Sequence, residues 1–233
     1  MPVWDADFVT IQGDASTERP FSMIDDKDFL EYRRILADED QIFKPFSDVK
    51  GIEAFKGPID SDNFYSIKAI AKLEKLSRTS MVQLLTDVEL RKSWDAFMKD
   101  FVIIERFSEH QDMIYISSKL PRGITDRDYV QYRCIREEEG MTTILFKHAE
   151  HAGALDRSGH QRGAIKIMGY QIKDLPLQSS NGGGCELSLI SVNNPKGSIP
   201  MKLINWLGLP AKGPPKWIAS LMEGAAKHNL LLE

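Results

Sequence analysis

The chain has 233 residues, 42% of them hydrophobic and 27% charged, and a net charge of −4 at neutral pH. That is an ordinary globular composition, with no basic face for nucleic acid and no run of roughly 18 apolar residues for a membrane-spanning helix. Its two cysteines, Cys134 and Cys185, cannot build a disulfide framework, and the start MPVWDADFVTIQGD lacks the regions of a secretory signal, so a reducing, cytoplasmic setting is expected.

The first element in chain order is DDKDFLEYRRILAD, from Asp25. Its acidic first turn and the helical spacing of Phe29, Tyr32 and Leu36 predict a helix. Residues 42–61 carry Pro45, Gly51, Gly57 and Pro58, which predict short strands and turns. FYSIKAIAKL (64–73) alternates, with Tyr65, Ile67, Ala69, Ala71 and Leu73 on one face and Lys68 and Lys72 on the other. Ser80-Met-Val-Gln83 has the form of a capping box. Met81, Leu84, Leu85 and Val88 then predict an amphipathic helix running to about Asp95.

The middle of the chain reads as strand after strand: 101–109, 112–120, 128–137 and 141–150, joined by connectors short enough for antiparallel hairpins. Two more strands are predicted at 164–172 and 185–194, with a long loop at 150–163. Helical pattern returns in MKLINWLG. A longer helix is predicted from Pro214-Pro215, with Trp217, Ile218, Leu221, Met222 and Ala225 on one stripe. Helix, strands, helix, about six strands and a long helix make an α+β fold with a large antiparallel sheet. No repeat or linker divides the chain, so a single domain is expected.

Catalytic signals are weak. His148 and His151 form an H-x-x-H, but at a strand end the two point to opposite sides, and no further ligands complete a metal site. There is no G-x-S-x-G, Cys134 lies mid-strand with no histidine beside it in sequence, and Gly182-Gly183-Gly184 precedes a strand where a phosphate loop would precede a helix. No cofactor is implied. Arg91 and Asp95, one turn apart in ELRKSWD, share a helix face next to Trp94.

ELRKSWD (89–95), MIYISSKLPRGITDRDYVQYR (113–133) and NNPKGSIPMKLINW (193–206), in that order and spacing, resemble a START domain. Arg127-Asp128-Tyr129 is the most specific piece, and the last stretch most resembles the phosphatidylcholine-transfer branch. The resemblance runs from about residue 25 to the C-terminus, which leaves 1–24 as an N-terminal extension and 25–233 as a START-like lipid-binding domain. It implies a helix-grip fold: a curved antiparallel sheet wrapped around a long C-terminal helix, with an internal lipid tunnel. The charges of DRDYVQYR are then structural ion pairs near a buried polar end.

Physics agrees with such a tunnel. A two-chain phospholipid carries about 30 methylenes, each worth ~0.8 kcal/mol on leaving water, so its carrier must enclose it. Its phosphate needs a buried charge partner, and arginine suits phosphate. By resemblance, Arg91 points into the cavity with Asp95 orienting it, and Tyr129 and Tyr170 supply aromatic faces for a choline head. Ile116 departs from the pattern, standing where phosphatidylcholine carriers have an aromatic. Either Tyr115 or Tyr132 supplies that face, or the head-group range is broader.

Gln131, Leu203, Trp217 and Leu221 complete the expected lipid-contacting set, and Leu155, at the tip of the 150–163 loop, with Trp206 and Leu207, placed to dip into the membrane interface, are candidate gate residues. The expected partners are a phospholipid ligand and, during exchange, a membrane surface; the protein is expected to be a monomer with no nucleic-acid partner. The rival readings are a sterol, fatty-acid or ceramide binder of the same fold, an empty interaction module, and a helix-grip hydrolase.

Overall fold

The computed structural model describes residues 22–59, 61–120, 123–154, 156–176, 183–197 and 209–232. Leu155, Leu203, Trp206 and Leu207 lie outside them.

The elements run α1 (Asp26–Ala37), β1 (Lys44–Val49), β2 (Ile52–Ile59), β3 (Tyr65–Leu73), α2 (Arg78–Thr86), α3 (Val88–Trp94), β4 (Met98–Arg106), β5 (Gln111–Ser118), β6 (Asp126–Glu138), β7 (Met141–His148), β8 (His160–Arg162), β9 (Ala164–Asp174), β10 (Cys185–Asn194) and α4 (Leu209–Lys227). Among the described residues one ten-stranded sheet takes the order β1-β2-β3-β10-β9-β7-β6-β5-β4. Every ladder is antiparallel except that of β8, which pairs parallel with β6. This is the expected α+β class.

Local chemistry sets most boundaries. Asp25 caps α1 in a capping box with Asp28. At α2 the expected box at Ser80 gives way to Ser77 one turn earlier, whose Oγ accepts from the Ser80 amide at 3.1 Å. The single helix expected to reach Asp95 is also two helices. Asp87 leaves helical geometry and caps α3, its Oδ1 accepting from Leu90 N at 2.8 Å. α4 begins at Leu209, before the expected start, and runs through Pro214 and Pro215.

Strand alternation divides the interior into two cores, one on each sheet face. Tyr115, Val130, Tyr132, Leu145 and Ile190 pack under α1 against Phe29 and Tyr32, and Ile24, just before the expected domain start, joins them. Ile114, Ile144, Phe146, Tyr170 and Leu187 face α2, α3 and α4. Lys68 takes the face opposite Ala69, as expected, but it is buried. Its Nζ donates to Leu36 O at the end of α1 at 2.8 Å, over the rings of Phe43 and Phe55.

α4 crosses α3 closely. A Cβ on Gly224 would stand 2.4 Å from Trp94 Cβ, so only glycine permits the contact. That approach, fixed also by Ser220 Oγ donating to Trp94 O at 2.6 Å, holds Trp217 over the end of α3.

Candidate functional site

The concave face of the sheet, α3 and the start of α4 enclose a largely apolar cavity of about 420 Å³, within the range of ligand-binding clefts. Its lining includes Arg91, Asp95, Ile116, Tyr129, Gln131, Tyr170 and Trp217, so seven residues expected from sequence converge there. Leu221 does not line it; that side chain is fully buried in the concave-side core with Ile218 and Ala225.

At one end, Arg91 Nη2 lies 2.8 Å from Asp95 Oδ2. The same oxygen accepts from Trp217 Nε1 at 3.0 Å, and Asp95 Oδ1 accepts from the Phe97 amide at 3.1 Å. Asp95 thus ties α3 to α4. The Arg91 guanidinium lies 4.6 Å from the Trp94 ring centre and 5.1 Å from that of Trp217. Trp217 stacks on Tyr170, centroids 5.8 Å apart and planes 5° from parallel, and Phe146 meets Tyr170 edge-on at 5.7 Å. Burial pushes the Tyr170 hydroxyl pKa up against the opposing pull of Arg91, so it stays protonated. Arg91 Nε is buried and has no hydrogen-bond partner among the described residues.

Along β6, Tyr129 and Gln131 face the cavity two residues apart. Tyr129 packs its ring where a Cβ on Gly163 would stand, 2.2 Å away, and burial pushes its hydroxyl up to about 12. Ile116 lies opposite Tyr129 on β5, and Phe101 opposite Ile116 on β4. Tyr115 and Tyr132, the alternatives for the missing aromatic face, pack on the other side of the sheet under α1.

Sequence reasoning missed Phe97, Phe101, Phe146, Met168, Ser191 and Asn193, all cavity-lining. Register arithmetic could have found some of them: Met168 is two residues before Tyr170 on β9, and Phe146 is its partner on β7.

The DRD charges hold the cavity's rim. Asp126 pairs with Lys99 at 3.1 Å, and Asp128, almost wholly buried, is gripped by Arg162 through Nε and Nη2 at 3.1 and 3.0 Å. Arg127 forms no ion pair in this cluster. Its guanidinium donates to the carbonyls of Thr125, Pro195 and Lys196, clamping the end of β10 to β6. Residues 157–162 of the loop at 150–163 are tied to the sheet by Arg162, by β8 and by Arg157 donating to Asp100 at 2.5 Å. Among the described residues no three His, Cys, Asp or Glu side chains gather as metal ligands. No helix among them is long and apolar enough to cross a membrane.

An antiparallel sheet closed over an apolar cavity by a C-terminal helix defines a helix-grip, ligand-enclosing protein. A model of the START domain matches residues 37–210, and the chain belongs to that family. It is similar to phosphatidylcholine transfer protein of Homo sapiens, 25% identical over 159 residues that cover 68% of this chain and 73% of that protein. The fold matches human STARD10 with a TM-score of 0.77 at 22% identity, covering 89% of this chain and 82% of that one. Human StAR-related lipid transfer protein 5 gives 0.74 at 17% identity, over 87% and 93% of the two chains.

Proposed function

We propose that the protein binds one glycerophospholipid in this cavity and transfers it between membranes as a monomeric, cytoplasmic carrier without catalysing a reaction, using residues 25–233 as the binding unit. One observation carries the reading: a buried arginine with an unpartnered Nε donor stands at the end of an apolar cavity in a START-family chain. An anionic phosphate supplies the acceptor that Arg91 lacks, and the apolar walls suit acyl chains. Sterols and free ceramide offer no anion there.

Transfer also requires passing contact with a bilayer. A second groove, between the β1–β2 turn and α4, combines apolar Val49, Ile218 and Met222 with Lys50, Lys72 and Lys216, and none of its described lining residues is acidic. Such a surface suits anionic lipid, each lysine near the membrane adding ~1 kcal/mol.

Native mass spectrometry of the purified protein tests the ligand: a co-purified phospholipid is the expected mass, and a sterol or fatty acid would replace the reading. Transfer between vesicles tests the contact. Lys50→Gln with Lys216→Gln should slow exchange with anionic vesicles about tenfold at low salt, with little effect on neutral ones.

A further inference from the structure

We propose that Gln131 selects for a head group that donates a hydrogen bond, a primary ammonium of the ethanolamine type, over a quaternary ammonium. This rests on the glycerophospholipid reading above and specifies its substrate.

Two buried polar atoms on the described cavity lining lack a partner: Arg91 Nε, a donor, and Gln131 Oε1, an acceptor. Two polar neighbours on the lining are engaged already. Both Asp95 oxygens accept hydrogen bonds, and Asn193 Nδ2 donates to Ser191 Oγ at 2.6 Å. Gln131 is 2% exposed; opposite it stand Ile114 on β5, which has no side-chain donor, and His148 on β7, with which Gln131 Oε1 makes no hydrogen bond. A ligand that completes this cavity therefore brings an acceptor for Arg91 and a donor for Gln131. A phosphate followed by a protonated primary amine has both.

The aromatic groups do not offer the alternative. A quaternary ammonium has no N–H and needs open ring faces around it. Here one neighbour of the Trp217 ring is Tyr170, stacked on it, and another is the Arg91 guanidinium, 5.1 Å from its centre. Phe146 meets Tyr170, and Ile116 takes the place opposite Tyr129 where a further aromatic would stand. Rings already engaged with one another make a poor cage, and a trimethylammonium group would leave Gln131 Oε1 buried and unpaired.

The test is competitive loading of the full chain from vesicles of four lipids with identical acyl chains, whose head groups are ethanolamine, N-methylethanolamine, N,N-dimethylethanolamine and choline. The wild type should favour ethanolamine over choline at least tenfold, with the largest single drop at the last methylation, where the final N–H disappears. Gln131→Leu should bring the two to within about twofold, and Gln131→Glu, which keeps the acceptor, should retain the preference. Equal loading or a choline preference in the wild type would overturn the proposal and leave the carrier reading intact. Loss of the preference in both variants would overturn the acceptor role. If none of the four lipids loads, both readings fall together. The wild-type series needs no variant, so it decides the matter even if Gln131→Leu folds poorly.

Discussion

Two buried arginine–aspartate pairs stand on either side of the line between scaffold and site. Arg133, next to the end of α2, has a partner for each guanidinium nitrogen: Nε and Nη2 donate to the two oxygens of Asp112 at 2.9 and 2.6 Å, and Nη1 donates to Thr86 O at 3.0 Å. Arg91, in the cavity, is equally hidden yet holds Asp95 through a single nitrogen and leaves Nε unpartnered. A folded chain has little reason to bury an unpaired guanidinium nitrogen for stability, since the lost hydration is not returned. The difference separates the arginine that holds the protein together from the one placed to meet something else.

Removing Arg133 should give the largest effect. Arg133→Ala strands Asp112 in a buried site, a loss of about 3–5 kcal/mol, or a melting temperature lower by about 6–20 °C in a domain this size. Differential scanning calorimetry reads it, and a shift under 2 °C would break the contrast from the structural side.

Arg91→Ala should act mainly on the ligand. Asp95 keeps its bonds from Trp217 Nε1 and the Phe97 amide, so the melting temperature of the lipid-free protein should fall by less than half as much. Phospholipid loading should drop about ten- to a hundredfold, the worth of one charge-assisted hydrogen bond. Unchanged loading in vesicle uptake would remove Arg91 from the site.

The smallest effect belongs to the strap over the rim. Burial alone would raise the Asp100 carboxyl, but hydrogen bonds from Ser117 Oγ and Arg157, with the arginine's charge, outweigh it and hold the pKa below the usual range. A carboxylate depressed in the folded state stabilises fully above its unfolded value, about 3.9, and loses that contribution as pH falls through the folded one. Limited proteolysis between 150 and 163 should therefore speed up only below about pH 4. Asp100→Asn should be equally susceptible across that range and show no change in head-group selectivity.

Most of the fold was legible because apolar alternation and cap chemistry are local. Asp25 announced α1, and β10 occupies the residues 185–194 that the pattern marked. Misreadings came where two local signals compete. Ser77 and Ser80 both suit a cap, and the earlier one wins. Asp87 sits inside a helical apolar pattern, which the stripe of Met81, Leu84, Leu85 and Val88 hides. β8 was invisible because His160-Gln-Arg162 has no alternation; it becomes a strand only through pairing with β6. Seven cavity-lining residues were legible from the START resemblance and the helical stripe of α4, whereas Phe146 and Met168 needed the strand register. The unpartnered Gln131 oxygen follows from three-dimensional exclusion of partners, which no one-dimensional pattern encodes.

One ladder has a consequence for how the molecule is made. Strands β1 to β3 join as successive hairpins, as do β4 to β7, but β3 finds its other neighbour only in β10, where Leu73 pairs with Cys185. Closing so long a stretch of chain must precede the reward of the pairing, which favours slow folding. During synthesis the amino-terminal three strands therefore wait with one edge bare and the future cavity wall uncovered until residues 185–194 arrive. It is in that interval, more than in the finished molecule, that the sheet is open to strand addition from another chain.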